Sequence, residues 1–165
     1  MVLKDIGARR AADPQMTESA LLAMSNRALD ALFRSSPSGA VPNGNMRGTL
    51  VAFSGTPLAK PLARLAYLVG WQGKVVNSRR GTLVNKISPL HLRAIKALVG
   101  LDDSRVDGSP CVLIDYSRTS FVARAVRDEI RLVGPQLYLG VIWLGRRRIG
   151  WFALRGPVGR AGRRR

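Results

Sequence analysis

The sequence predicts one α+β domain, a predominantly antiparallel sheet of about six to eight strands with two or three helices. Three observations point there. Short apolar runs bounded by turn residues recur along the chain and close in a clear hairpin, Leu137 to Leu144 and Arg148 to Leu154 around Gly145-Arg146-Arg147. A helical period is confined to a few stretches. No internal repeat of about 20 to 50 residues is visible, which argues against a solenoid or propeller. With 165 residues and 46% apolar content, the chain supports one core and is too short for two comfortable ones.

Residues 1–15 are polar, lack a period and are expected to form a flexible leader before a single domain over 16–155. Thr17 or Ser19 can cap a first helix in which Leu21, Leu22, Ala28, Leu29, Leu32 and Phe33 return to one side, ending near Ser35. Turn residues at Ser36-Pro37-Ser38-Gly39 and Pro42-Asn43-Gly44-Asn45 then lead into a strand, Gly48 to Phe53. Pro57 to Val69 reads as an amphipathic helix with Leu58, Leu62, Leu65 and Val69 on one side and Lys60 and Arg64 on another. Such a helix either covers a sheet or lies on a lipid interface, and Tyr67 and Trp71 flank its end as interfacial aromatics do.

Lys74 to Asn77 and Thr82 to Ile87 read as a hairpin, whereas Leu90 to Leu101 fits helix and strand templates alike. Cys111 to Tyr116, bounded by turn chemistry, reads as a strand in the middle of the sheet. Hydroxyls at Ser117 to Ser120 can cap a helix starting at Phe121, with Arg124, Arg127 and Arg131 at helical spacing. Asp128 to Val133 also alternates as a strand does, so the boundary stays open. Residues 156–165 form a basic tail, expected to be disordered.

The formal net charge is +17, and such an excess attracts phosphates, whether in nucleic acid or in lipid headgroups. Of the cationic residues 22 are Arg and 5 are Lys, a bias that GC-rich coding also produces. Cys111 is the sole cysteine, so no intramolecular disulfide or Cys/His metal cluster exists. There is no signal-peptide pattern and no apolar run near the roughly 18 to 20 residues of a membrane-spanning helix. The expected location is cytoplasmic, with peripheral contact to the inner face of a membrane.

Catalysis has little support. His91 is the single histidine, set between two leucines, and Glu18 and Glu129 are the only glutamates. Neither GxGxxG nor GxxxxGK[ST] occurs, and no cofactor is indicated. Asp115 to Ser120 gathers polar groups at the end of an apolar strand: either a turn whose hydroxyls satisfy N–H groups, or a mouth at which Tyr116 and Arg118 hold the polar end of a ligand. In Leu137 to Leu144 both pleat faces are apolar, so both must be covered. One face packs on a helix; the other, with Tyr138, Gly140 and Ile142, lines a curved interior that is either filled by side chains or holds one small ligand.

The run Arg127 to Val133, then Leu137-Tyr138-Leu139-Gly140, then Ile149-Gly150-Trp151-Phe152-Ala153-Leu154 resembles the closing strands of lipocalin-like proteins, including the plastid lipid-associated (fibrillin) group and bacterial relatives. The resemblance covers the last quarter of the chain. It implies a curved sheet or partly open β-barrel that binds an apolar molecule, with Arg127, Arg131 and Tyr138 at the matched positions. The expected function is therefore binding of a small apolar or lipid-like ligand. Lys60, Arg64, Arg160, Arg163, Arg164 and Arg165 would offer a basic surface to anionic membranes. The alternative is an RNA-binding or ribosome-associated protein. Single-strand RNA binders stack bases on exposed aromatics, whereas Tyr138, Trp143, Trp151 and Phe152 lie in apolar runs, which favours the ligand carrier.

Overall fold

Eight antiparallel strands close on themselves in sequence order, β8 pairing back onto β1. The computed structural model describes residues 11–53, 71–87, 92–121 and 123–157. Two short helices, α1 (Glu18–Leu22) and α2 (Asn26–Ser35), precede the strands. These are β1 (Gly44–Phe53), β2 (Trp71–Asn77), β3 (Thr82–Ile87), β4 (Leu92–Asp103), β5 (Pro110–Asp115), β6 (Val126–Gly134), β7 (Leu137–Leu144) and β8 (Arg147–Arg155). The curved sheet or partly open barrel expected from sequence is thus a closed barrel, with two helices among the described residues.

Local chemistry explains most of the differences from the sequence reading. The single helix expected to end near Ser35 is two, because Ser25 takes an extended backbone and caps a second start, its Oγ accepting from Ala28 N at 3.2 Å. Thr17 does the same for α1, accepting from Ala20 N at 3.2 Å. The ambiguous run around Leu90 to Leu101 belongs, where described, to β4. Where the sequence suggested a helix from Phe121, the described residues Phe121 and Ala123 to Ala125 are bend and turn leading into β6, while the alternation from Asp128 to Val133 is the strand it resembled. The expected helix at Pro57 to Val69, His91 and the tail from residue 158 lie outside the described residues.

Alternation sorts the side chains into two cores. Inside the barrel pack Met46, Val76, Leu83, Val99, Val112, Ile114, Ile130, Tyr138, Phe152 and Leu154. Outside β6, β7 and β8, a second cluster of Val133, Leu137, Leu139, Val141, Trp151 and Ala153 is covered by Leu21, Leu29 and Phe33 of the helices. Phe33 meets Trp151 edge-on with ring centroids 5.8 Å apart. The two apolar faces of β7 are therefore both used, one in each core.

Arg131 joins these parts. On the outer face of β6, its guanidinium donates to Asp107 through both nitrogens at 2.8 and 2.6 Å, to Phe33 O at 2.9 Å, to Ser109 O at 2.9 Å and from Nε to Pro110 O at 3.1 Å. It ties the end of α2 and the β4–β5 loop to the barrel wall. Two residues along, the buried Glu129 carboxylate accepts from Ser104 Oγ at 2.6 Å, Arg105 N at 3.0 Å and Arg127 Nε at 2.7 Å.

One barrel end is closed by the α2–β1 linker. Pro37 O accepts from Leu132 N at 3.0 Å, Ala40 O accepts from the Tyr138 hydroxyl at 2.8 Å, and Val41 packs on the interior. Above it the interior is filled: a Cβ on Gly140 would lie 2.3 Å from the Phe152 ring. Replacing Gly140 with Leu should therefore cost stability, about 1–3 kcal/mol or more from overpacking. In urea unfolding the midpoint should fall with little change in slope; an unshifted midpoint would mean open volume beside Gly140.

Candidate functional site

Strands β1, β3, β5 and β7 end, and β2, β4, β6 and β8 begin, at the barrel end opposite the linker, as the antiparallel order requires. Just beneath that end, four polar side chains from four different strands or strand ends meet inside the barrel: Lys74 from β2, Asn85 from β3, Tyr116 following β5, and Asp128 from β6. Their exposures are 2, 5, 3 and 4%. Each takes the inward parity of apolar neighbours on its own segment: Lys74 with Val76, Asn85 with Leu83, Tyr116 with Ile114, Asp128 with Ile130.

Lys74 Nζ is the hub. It donates to Asp128 Oδ2 at 2.9 Å, to Asn85 Oδ1 at 2.9 Å and to the Tyr116 hydroxyl. Tyr116 in turn donates to Asp128 Oδ2 at 3.1 Å and accepts from Asn85 Nδ2 at 3.2 Å. The rings of Trp71, Tyr116 and Phe152 surround the ammonium with centroids 5.5, 5.2 and 5.5 Å away. These negative ring faces further favour a cation there. Trp71 Nε1 also reaches Asn85 Oδ1 at 3.4 Å.

Burial alone pulls the Lys74 ammonium toward deprotonation. Asp128 foremost, with Tyr116, outweighs it, and the net direction is above the ordinary lysine value. Burial, aided by the Asp128 charge, pushes the Tyr116 hydroxyl up to about 12. Lys74 thus stays cationic and Tyr116 neutral at neutral pH. Burial first and then Glu129 push the Cys111 thiol up to about 12, which disfavours the thiolate that a nucleophile needs. Among the described residues no three His, Cys, Asp or Glu side chains converge as metal ligands.

Among the described residues, the surface around the same end is basic and carries the exposed aromatic Phe121. Phe121 is 83% exposed, and the Arg124 guanidinium lies 4.9 Å from its ring centroid. Arg118, Arg146 and Arg147 are exposed on the β5–β6 and β7–β8 connections, which are joined by Gly145 N donating to Ala125 O at 2.8 Å.

The barrel has a solved counterpart. The crystal structure of a protein from Thermomonospora curvata matches this chain with a TM-score of 0.57 and 18% identity, over 81% of this chain and 89% of that one. That is a likeness of fold. No protein-family model and no curated protein matches the chain.

The residues singled out from sequence scatter. Tyr116 enters the cluster and Arg118 is exposed nearby. Ile142 pairs with Asp128 across β6 and β7 and packs on the interior core, Gly140 faces Phe152, and Tyr138 sits at the closed end. Arg127 and Arg131 stand on the outer wall, Arg127 bound to Asp103 O at the end of β4 and to Glu129, and Arg131 bound to Asp107 of the β4–β5 loop, which removes them from any interior site. Lys60, Arg64, Arg160, Arg163, Arg164 and Arg165 lie outside the described residues. Lys74, Asn85 and Asp128 were missed; the signal for them is a polar residue at the parity of an apolar strand face.

Both raised pKa values carry the same sign for stability. Unfolded tyrosine and lysine release their protons near pH 10 to 10.5, lower than Tyr116 and Lys74 do when folded. The unfolded state then binds fewer protons, so the cluster's contribution is complete below about pH 10 and is lost above it. Tyr116→Phe should therefore lose less stability than the native protein when urea midpoints are compared at about pH 9 and about pH 11.5. Parallel losses would sever the cluster from the alkaline transition.

Proposed function

We propose that the protein binds a small apolar or lipid-like molecule bearing a polar group. The polar group is held by the Tyr116, Asn85 and Lys74 cluster, and the basic end above it meets anionic membrane surfaces. The observation that carries this reading is the placement of a buried ion pair, with a hydroxyl and an amide, directly beneath one end of a barrel whose other end is sealed. A buried pair is weak evidence for stability, because desolvation offsets most of its attraction. Here it sits in the upper interior among Trp71, Tyr116 and Phe152; Asn85 Nδ2 donates to the Tyr116 hydroxyl and to Ile95 O, and that hydroxyl donates to Asp128, so a ligand carbonyl or hydroxyl would be held by exchanging one of these bonds.

Filling of the interior around Gly140 by Phe152 leaves no room there for a long acyl chain, which favours a compact amphipathic molecule. The resemblance of β6 to β8 to lipocalin-like proteins supports the same class of ligand. On the rim, Phe121 supplies an apolar wedge and Arg118, Arg124, Arg146 and Arg147 supply charge, a pairing suited to an anionic interface.

Native mass spectrometry of the purified protein should reveal a retained small molecule, and Tyr116→Phe and Asn85→Leu should reduce its occupancy while the barrel stays folded. Full occupancy in both variants would sink the proposed anchor. On the membrane side, Phe121→Ser should weaken co-sedimentation with phosphatidylglycerol vesicles severalfold without moving the melting temperature, the apolar anchor being lost. Equal sedimentation would remove the rim from the reading.

A further inference from the structure

Strand register assembles a second basic feature, on the outer wall of the barrel. Arg155 of β8 pairs with Arg47 of β1, Arg47 pairs with Gly73 of β2, and Gly73 pairs with Lys86 of β3. One cross-strand row thus carries three cations and a glycine, at steps of about 4.8 Å. Like charges directly opposite one another across a ladder destabilise it. Five carboxylates elsewhere are already engaged: Asp30 with Arg34 and Arg148, Asp102 and Glu129 with Arg127, Asp107 with Arg131, Asp128 with Lys74. Among the described residues Glu18 approaches the row, 3.6 Å from Arg47, and its other oxygen accepts from Thr49.

The row lines an open groove of about 430 Å³ formed by Asn45, Arg47, Lys86, Arg155, Gly156 and Pro157. Arg155 Nε is buried there without a hydrogen-bond partner. Lys86 Nζ is held over the groove by donating to Asn45 Oδ1, which leaves its other protons available. Gly73 keeps the strip between Arg47 and Lys86 free of any side chain, and none can be added: at φ +130° a Cβ would lie 2.1 Å from Met46 O. A tetrahedral anion seated over Gly73 would have Arg47 and Arg155 on one side and Lys86 on the other.

We propose that this groove binds a phosphate-bearing anion from solution, either a free phosphorylated compound or the backbone of a single-stranded nucleic acid. Its concave shape admits an isolated phosphate and excludes the flat face of a bilayer. Among the described residues that line the groove none is aromatic, so it takes the phosphate and leaves any base unread.

The test uses the full chain with three probes: inorganic pyrophosphate, a fluorescent single-stranded oligonucleotide of about 12 nucleotides, and phosphatidylglycerol vesicles, the strand being long enough to cross a row of about 15 Å. Pyrophosphate or the oligonucleotide should bind saturably and raise the melting temperature, as any ligand of the native state does. Which of the two binds identifies the source. Arg47→Gln and Lys86→Gln should each lower affinity about fivefold or more at low salt, through loss of a charge-assisted contact. For the oligonucleotide, each should also flatten the salt slope by about 0.7. Without ligand the same variants should melt at the native temperature or above it, because like-charge repulsion is relieved. Binding by neither soluble probe, binding indifferent to both substitutions, or groove-dependent binding by vesicles alone would overturn the proposal.

Discussion

Everything inside this protein depends on the ladder between β1 and β8. The registered pairs from Arg47–Arg155 to Phe53–Gly150 close the sheet, remove both of its edges and convert the shared inner face into an enclosed space. Without that ladder Lys74, Asn85, Tyr116 and Asp128 would lie on an open surface, and an ion pair there would contribute little. With it, they are excluded from water and held by one another. The same ladder sets Arg155 beside Arg47, so the inner cluster and the outer basic row share one structural cause.

Charge is distributed by role. The few acidic side chains mostly act as internal joints: Asp107 receives Arg131, Glu129 receives Arg127, Asp30 receives Arg34 and Arg148, and Asp128 receives Lys74. The planar fork of Arg131 meets Asp107 bidentately and still reaches three carbonyls, a task for which guanidinium geometry is suited and an ammonium is not. Lys74 occupies the converse position. A compact point charge with three donors matches the three oxygens around it, from Asp128, Asn85 and Tyr116, in a space enclosed by aromatic rings. In a chain so rich in arginine, a lysine at this point reflects the shape of its surroundings. Because the acids are spent on joints, the exposed surface retains the basic excess.

Elements with local signals were legible in the sequence. The β2–β3 and β7–β8 hairpins have period-two runs separated by turn residues, and both faces of β7 are apolar because one lies under α2 and the other lines the barrel. Where two local signals compete, tertiary context decides: Arg124, Arg127 and Arg131 mimic helical spacing, yet the last two are strand residues drawn outward by the end of β4 and by the β4–β5 loop. Closure and the candidate site were not legible. Closure depends on pairing between segments about a hundred residues apart, and no local pattern encodes that register. Tyr116 was found because it stands at a strand end among polar groups. Lys74, Asn85 and Asp128 are separated by other strands in sequence and become neighbours only once the ladders are set.

The two ends of the barrel are built on opposite principles. At the linker end, backbone groups are satisfied locally, with Pro37 O and Ala40 O accepting from Leu132 and Tyr138, and the interior is apolar and filled. At the other end the polar cluster interrupts that core, and the adjoining connections carry exposed Phe121 and a ring of arginines. A core selected for stability alone would continue its apolar packing upward, since hydrophobic residues of like volume commonly equal or exceed a buried ion pair. The cluster fixes one arrangement of four strands, because any slip in register would leave a buried charge unpaired. That specificity resides at the end where a ligand would enter. The hydrogen bonds that hold the site in shape are therefore the same ones a polar ligand group would share.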